Sequence, residues 1–434
     1  MELKIRYRYP GTRPFTKKDR HLFFGRRDDS QKLTELILKE HLVLLFGKSG
    51  YGKSSLLNAG VIPTLEEDWH YNVHNIRLND LTLSPTDVIL HHLSSKIEKS
   101  DFLSEELNFA TEVPNDPASV VWYYIKRYEL TVKGSNATLL IFDQFEELFN
   151  YSNLRVEEFG RMIASLLSKS LPPAVKKLIK DKIKAQSFTE DQIDFLLKPL
   201  NLKILFSIRS DRLGLFSKLK HFLPGIFNGT YGLQPLNKLQ AKDALIQPAI
   251  KEGEFASPIF QYQDATVDQI LRGLTDHQDE RVETFQLQLL CQHAEELIIQ
   301  KQKKNPTSEF YDLSLEEIGN PIDIFENHYI SIIQDLPEEE RSKVRILIED
   351  KLIVGESRVP LPESVILQEH GLSEQVLDFL EDRRLIRSEP NTVGGISLEL
   401  SHDTQVDAIL RSAADRKQEE APFLEKQRQA KGQQ

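Results

Sequence analysis

Short apolar runs alternate with amphipathic helical patterns over roughly the first half of the chain. The runs predict strands at residues 42–46, 71–78, 137–142, 202–208 and 230–233. Helical spacing predicts intervening helices at residues 28–39, 84–97, 117–132 and 156–171. Several of the runs are apolar throughout, which is typical of strands buried on both faces. The pattern therefore predicts an α/β core, a parallel sheet with helices on both faces.

Beyond Pro235 the strand pattern gives way to helical periodicity. Helices are predicted at residues 242–250, 266–274, 286–300 and 325–335, which indicates an all-helical domain. Two candidate strands at 385–388 and 397–400 then flank the turn-rich residues 391–395, which predicts a winged helix. The expected division is a lead-in at 1–40, a core at 41–236 with an insertion at about 171–199, a helical domain at 237–336, a winged-helix domain at 337–412 and a polar linker or coil at 413–434.

The most specific motif lies directly behind the first predicted strand. Residues 47–54 match the pattern G-x-x-x-x-G-K-[ST], in which backbone amides and a helix N-terminus face a polyphosphate. Lys53 can reach the β- and γ-phosphates, and the Ser54 hydroxyl can ligate Mg²⁺. The motif predicts ATP or ADP binding with contacts from Gly47, Ser49, Gly50, Gly52, Lys53, Ser54 and Ser55.

A second acidic motif ends the most apolar predicted strand. Asp143 stands at the carboxyl end of that strand, where it can hold the magnesium ion. Glu146 and Glu147 follow closely and can act as general base toward water. Alternatively, the two glutamates have no catalytic role and only begin a helix, where carboxylates interact favourably with the positive end of the helix dipole. We expect Ser54 and Asp143 as metal ligands, and Glu146 and Glu147 as catalytic candidates.

Arg209 ends another apolar strand at the edge where the phosphate loop is expected. An arginine at this position can sense or neutralise the charge of a γ-phosphate. The alternative is a structural salt bridge to Asp211 or Glu147. Arg209 is therefore the third catalytic candidate.

Composition limits the classes of partner and the cellular location that we expect. The 434 residues carry a formal net charge of −11, which argues against a general nucleic-acid surface. The single cysteine fits a reducing cytoplasm, and no apolar run approaches the ~18 residues of a membrane span. A lysine cluster at residues 176–184 has the spacing of an amphipathic helix, and we expect it to be a solvated face.

Taken together, the motifs resemble those of the bacterial novel STAND nucleotidases, signal-transducing ATPases with numerous domains. The resemblance rests on residues 9–15, on 143–149 and on Phe24, Gly25 and Arg26, which it implies are nucleotide contacts. It also implies that His402, in Leu400-Ser401-His402-Asp403, touches the diphosphate of a closed state. At two positions the chain departs from the family pattern, because Arg27 replaces an acidic residue and Thr284 stands where relatives carry a proline.

The resemblance implies a slowly hydrolysing ATPase switch in bacterial signalling or defence, closed with ADP and open with ATP. It implies a homo-oligomer in the ATP state and an unidentified effector or sensor partner. A scaffold that binds nucleotide without turnover stays open as an alternative. A P-loop kinase is a weaker one because no acceptor site or arginine-bearing lid is recognisable. A GTPase would need Asn-Lys-x-Asp, and Asn237-Lys238-Leu239-Gln240 lacks the aspartate.

Overall fold

The structure, a computed structural model, describes residues 6–11, 13–48, 50–95, 97, 101–106, 116–131, 136–263, 265–274, 281–308, 310–355, 357–383, 385–390, 396–401 and 405–431. A parallel sheet forms the centre of its first half. The strands are β1 (Leu42–Gly47), β2 (Tyr71–Ile76), β3 (Ala137–Phe142), β4 (Leu202–Arg209) and β5 (Thr230–Gly232). Their spatial order is β2-β3-β4-β1-β5, so the predicted α/β core with a parallel sheet is confirmed.

Helices cover this sheet on both faces. They are α1 (Arg27–Lys39), α2 (Lys53–Ser55), α3 (Ile62–Glu67), α4 (Pro85–Ser94), α5 (Phe102–Glu106), α6 (Pro117–Thr131), α7 (Asn153–Leu167), α8 (Pro173–Lys184) and α9 (Glu190–Leu197). Leu139 and Ile141 of β3 pack in a cluster with α1 and α3, whereas Leu140 and Phe142 pack with α6 and α7. This alternation follows from the two-residue period of a strand. It explains why both faces of β3 must be apolar.

A second hydrophobic core is built mainly by helices. Its elements are β6 (Leu236–Asn237), α10 (Lys238–Ile250), β7 (Gln261–Tyr262), α11 (Thr266–Leu274), β8 (Arg281–Val282), α12 (Thr284–Lys304), β9 (Asp312–Leu313), α13 (Leu315–Ile318) and α14 (Pro321–Asp335). Tyr9 from the lead-in is buried in this core. The lead-in therefore packs against the helical unit as well as against the sheet.

A third core follows in the C-terminal unit. Its elements are α15 (Glu338–Arg345), β10 (Ile353–Val354), β11 (Ser357–Arg358), β12 (Leu361–Pro362), α16 (Glu363–Glu369), α17 (Glu374–Asp382), β13 (Ile386–Pro390), β14 (Ile396–Leu400) and α18 (Gln405–Lys431). β13 and β14 pair antiparallel, and β12 joins the other edge of β14. The three-stranded sheet and helices lie where the sequence predicts a winged helix.

Two segments differ from, or refine, the sequence expectations. The sequence predicts a linker or coil over residues 413–434, but α18 continues to Lys431, because the segment is rich in the strong helix formers Ala, Glu, Gln, Lys and Arg. In the insertion, Val175 and Ile179 of α8 pack into the sheet core while Lys176 and Lys180 are exposed. Among the described residues, no helix combines the length and apolarity that a membrane span requires.

Candidate nucleotide site

A cavity of about 450 Å³ opens at the carboxyl ends of β1, β3 and β4. The phosphate loop and the acidic strand end form one wall, and the lead-in, α12 and β13 form the others. Lining residues include Pro14, Phe15, Leu22, Phe23, Phe24, Arg26, Gly50, Gly52, Lys53, Ser54, Ser55, Arg77, Asp143, Glu146, Glu147, Arg209, Thr284, Gln288, Arg387 and Ser401. The cavity is therefore shared by all three units of the chain.

The phosphate loop has the backbone shape of an anion cradle. Gly50 and Gly52 have φ of 78° and 88°, a region that favours glycine because a Cβ would be strained there. Gly47 leaves β1 so close to β5 that a Cβ on it would lie 2.9 Å from the Leu233 carbonyl oxygen. The Lys53 ammonium donates to the Gly47 carbonyl at 2.8 Å, which holds it inside the loop. The curl of the loop thus depends on glycine at defined positions.

Asp143 is held in one orientation at the end of β3. Its Oδ2 accepts from the Ser54 hydroxyl at 2.6 Å, and its Oδ1 accepts from the Ser207 hydroxyl at 2.8 Å and the Gln144 amide at 3.0 Å. Ser54 and Asp143 therefore present two converging oxygens beside the phosphate loop. Oxygen donors of this type suit Mg²⁺, which usually takes one or two protein ligands plus phosphate oxygens and waters. The residues present fit that ion.

The two glutamates after Asp143 have different surroundings. Both lie in the 3₁₀ turn Phe145–Asn150. Arg77 donates to Glu147 Oε1 and to the Gln144 side chain. Glu146 is buried, and its Oε2 has no hydrogen-bond partner among the described residues. Burial raises the pKa of Glu146, against the opposing influence of Lys53 and Arg209. Glu147 Oε2 likewise has no hydrogen-bond partner among the described residues, so the difference between the two glutamates is that Arg77 holds Glu147 through its Oε1.

Arg209 lies directly opposite Gly47 in the register of β4 and β1. The structure gives it an ion pair from Nη2 to Glu399 Oε1 at 3.6 Å. Glu399 also accepts from Arg387, its direct cross-strand neighbour on β13. Burial, followed by the proximity of Arg209, lowers the pKa of Arg387 to about 10. One carboxylate thus joins two arginines across the junction of core and C-terminal unit.

The Phe24-Gly25-Arg26 segment is fixed beside the loop. The Arg26 guanidinium bonds to Asp29 at 3.0 Å, to the Tyr51 carbonyl at 2.9 Å and to the Thr284 hydroxyl at 3.4 Å. A Cβ on Gly25, where φ is 79°, would lie 2.3 Å from the backbone oxygen of residue 240 on α10. Arg26 therefore ties the lead-in, the phosphate loop and the start of α12 together.

Part of the cavity lining is apolar, and one polar group stands out beside it. Phe15, Leu22, Phe23 and Phe24 form this part, and such a surface suits the faces of a purine base. Gln288 of α12 is buried against this cavity, and its Oε1 has no hydrogen-bond partner among the described residues. The cavity thus combines charged groups with an aromatic surface, as a nucleotide would require.

The structure brings most predicted site residues to this cavity. Those that line it are Phe24, Arg26, Gly50, Gly52, Lys53, Ser54, Ser55, Asp143, Glu146, Glu147 and Arg209. Gly25 and Gly47 shape the backbone behind its wall, while Ser49 and His402 lie outside the described residues. The polar residues of the site that sequence reasoning missed include Arg77, Ser207, Gln288, Arg387 and Glu399.

The sequence profile of the family described as novel STAND NTPase 1 matches residues 9–430. The chain belongs to this family of P-loop NTPases. The match extends from the lead-in through the C-terminal unit, so every wall of the cavity lies inside it. The expectation drawn from the motifs is confirmed.

Comparison with solved structures gives distant similarities over most of the chain. The Walker-type ATPase PABY2304 of Pyrococcus abyssi is 16% identical, with a TM-score of 0.42 and coverage of 92% of this chain and 98% of that chain. The Aeropyrum pernix ORC1 protein, in complex with DNA, is 13% identical, with a TM-score of 0.40 and coverage of 90% and 93%. Cdc6p from Pyrobaculum aerophilum is 14% identical, with a TM-score of 0.38 and coverage of 90% and 94%. No curated protein matches the chain.

Proposed function

We propose that this protein is a slowly hydrolysing ATPase that acts as a molecular switch, closed with ADP and open with ATP, in bacterial signalling or defence. The observation that carries the proposal is the shared cavity: the phosphate loop, Asp143 and Arg209 of the core face Arg387 of the C-terminal unit across it. A nucleotide bound there is in reach of both units. Its phosphate charge can therefore change how they pack.

The proposal assigns each residue a task. Lys53 and the loop amides bind phosphate oxygens, while Ser54 and Asp143 hold Mg²⁺. ATP with Mg²⁺ supplies an electrophilic γ-phosphoryl group. Glu146 orients a water and takes its proton, because its Oε2 has no partner among the described residues and, unlike Glu147, it is not paired with Arg77. Glu147, held by Arg77, is the second candidate for that task.

The C-terminal unit completes the proposed switch. We assign the three-stranded sheet and the helices around it, at residues 337–412, to a winged-helix domain, with the helical domain at 237–336 as the hinge region. His402 is assigned to the diphosphate of the closed state from the family pattern alone. In the ATP state the C-terminal unit leaves the core, and the exposed surfaces form a homo-oligomer that engages an effector or sensor partner.

Mass photometry of the full chain tests the switch. With ADP we expect a monomer, and with Mg²⁺ and a slowly hydrolysed ATP analogue we expect a defined oligomer. The Lys53→Ala variant serves as the control and should stay monomeric under both conditions because its loop no longer holds the phosphates. An identical mass distribution with both nucleotides, at concentrations that saturate binding by calorimetry, would contradict the switch.

Single-turnover phosphate release separates the ATPase from a non-hydrolysing scaffold. We expect slow release by the wild type and at least ~100-fold slower release by Glu146→Gln, since loss of a general base typically has that effect. Release that equals background in the wild type, together with tight ATP binding, would establish the scaffold instead.

A further inference from the structure

The Glu399 carboxylate is paired with Arg209, an arginine that the proposed function places beside the phosphates. Its side chain is 12% exposed, and that of Arg209 is 9% exposed, so their ion pair is largely shielded from water. A shielded charge pair is much less screened by salt than an exposed one. The two residues come from different units, with Arg209 at the end of β4 and Glu399 on β14.

The ion pairs of Glu399 are unequal. To Arg387, its cross-strand neighbour, it makes two hydrogen bonds, one of them from Nε at 2.9 Å. The contact to Arg209, at 3.6 Å, is longer than a normal hydrogen bond. Separation of the core from the C-terminal unit would therefore break the weaker pair and leave the stronger one within the sheet. The closed arrangement is thus poised to exchange one partner of Arg209 for another.

We propose that Glu399 determines the preference of the site for diphosphate over triphosphate, by competing with the γ-phosphate for Arg209. This inference rests on the proposed nucleotide-binding function. With a diphosphate bound, the Glu399 carboxylate remains paired with Arg209 and keeps β14 on the core. A γ-phosphate offers more charge and more acceptor oxygens, so Arg209 turns to it and Glu399 is left in the repulsive field of the nucleotide. Glu399 is a positioning residue, since it acts through Arg209.

Calorimetric titration of the full chain with Mg²⁺-ADP and a slowly hydrolysed Mg²⁺-ATP analogue tests this competition. For Glu399→Gln we expect the ratio of the ADP to the ATP-analogue dissociation constant to rise about tenfold, the size of one charge-assisted hydrogen bond. Glutamine retains an acceptor for Arg387 but lacks the charge that holds Arg209. The matched control is Glu374→Gln, which removes the same charge from an exposed position of α17 and should leave the ratio unchanged.

The effect must depend on Arg209. In an Arg209→Met background the same Glu399→Gln change should shift the ratio less than about threefold, because the guanidinium for which Glu399 and the γ-phosphate compete is absent. A purely structural role of Glu399 would instead persist in that background. If Glu399→Gln does not fold, Glu399→Asp withdraws the carboxylate by one methylene while keeping its charge, and should shift the ratio in the same direction.

The outcomes separate the two proposals. A ratio unchanged by Glu399→Gln or by the folded Glu399→Asp, or a shift equally large without Arg209, overturns the competition but leaves nucleotide binding intact. Failure of the wild type to bind either nucleotide overturns the proposed function itself.

Discussion

The cavity is bordered by two junctions that are built very differently. The first junction joins the lead-in to α12 and is called the base end below. There, Glu295 of α12 accepts hydrogen bonds from the backbone N–H groups of Arg8 at 2.9 Å and Tyr9 at 3.0 Å, and from the Ser257 hydroxyl at 2.7 Å. The buried Arg8 guanidinium adds a bond to the Pro248 carbonyl at 3.0 Å. These bonds fasten the lead-in to the helical unit through buried polar groups, each of which would carry a desolvation cost if it lost its partner.

At the phosphate end, the junction between core and C-terminal unit includes the Arg209–Glu399 pair at 3.6 Å. Both ends of that pair have a replacement at hand, because Arg209 can bind phosphate and Glu399 keeps Arg387. Under the proposed switch, burial alone would not make a junction permanent. What matters is whether its polar groups can find new partners when it opens. We therefore expect the base end to stay closed during the nucleotide cycle and the phosphate end to open.

The largest effect is expected from breaking the permanent junction. Glu295→Ala leaves the Arg8 and Tyr9 amides buried without their acceptor and the Arg8 charge without a nearby carboxylate. Removal of one partner from such a buried site typically costs about 3–5 kcal/mol. Denaturant unfolding should show this loss, and limited proteolysis should release the lead-in.

The neighbouring residue supplies the control for Glu295. Glu296→Ala removes a carboxylate from an exposed position of the same helix, where it only accepts from Gln292 at 3.1 Å. Its unfolding free energy should change by less than about 0.5 kcal/mol. Equal losses in the two variants would show that Glu295 does not fasten the lead-in.

The next effect is expected at the phosphate end, where hydrolysis needs the Glu146 carboxylate but the stability of the fold does not. Glu146→Gln should slow hydrolysis at least ~100-fold, whereas Glu147→Gln should retain most activity because Arg77 holds Glu147 in place through its Oε1. Burial raises the pKa of Glu146 above its ordinary value, so the wild-type hydrolysis rate should rise with pH through that pKa as the base loses its proton.

The sign of the stability effect of Glu146 follows from the same pKa. A carboxyl whose folded-state pKa is raised contributes most at low pH, and that contribution is lost as pH rises through the folded-state value. At neutral pH the buried carboxylate therefore disfavours folding. Glu146→Gln should raise the melting temperature there, by about 2 °C per kcal/mol recovered. A variant that melts lower while hydrolysing normally would refute both expectations.

The sequence predicts site residues that follow from local patterns, but it does not predict contacts between residues that lie far apart along the chain. The phosphate loop and Asp143 were found because each follows an apolar strand, and the carboxyl ends of parallel strands meet at one edge. Arg209 was found for the same reason, and its register opposite Gly47 bears out its position. Its partner was not found, since Glu399 lies far along the chain in a different unit.

The helical unit shows the same limit. Periodicity located α12, but nothing in the sequence pairs its Glu295 with Arg8, which is 287 positions away. Ser207 gave only a weak signal, a single hydroxyl inside an apolar strand two positions before Arg209. The tail shows the opposite case, because its polar composition predicts a linker or coil while its individual residues favour the helix that α18 forms as far as Lys431.

A smaller effect is expected at the base. Gln288→Leu removes the amide whose oxygen has no described partner and which faces the apolar part of the cavity. We expect about tenfold weaker ATP binding, the equivalent of one hydrogen bond to an adenine edge. Purine riboside triphosphate, which lacks the 6-amino group, should bind wild type and Gln288→Leu alike. Gln300→Leu, exposed on the same helix, is the control. Equal ATP affinities of Gln288→Leu and wild type would exclude contact with the base.

The smallest effect tests whether the base end is as preformed as its contacts indicate. Thr284 stands where the family pattern has proline, and it is the first residue of α12, a position that needs no amide donor. Glu283 before it has φ −71° and ψ 130°, an extended conformation that a following proline requires. Thr284→Pro gives up a 3.4 Å contact from Arg26, but it also lowers the entropy of the unfolded chain. We expect the unfolding free energy to change by less than about 1 kcal/mol.

The control for this substitution is a proline one turn further into the same helix. Leu287→Pro removes an amide that donates to the Glu283 carbonyl at 3.1 Å and should cost about 3 kcal/mol of unfolding free energy. If Thr284→Pro is as disruptive as Leu287→Pro, α12 does not begin at Thr284 and the base end is not preformed.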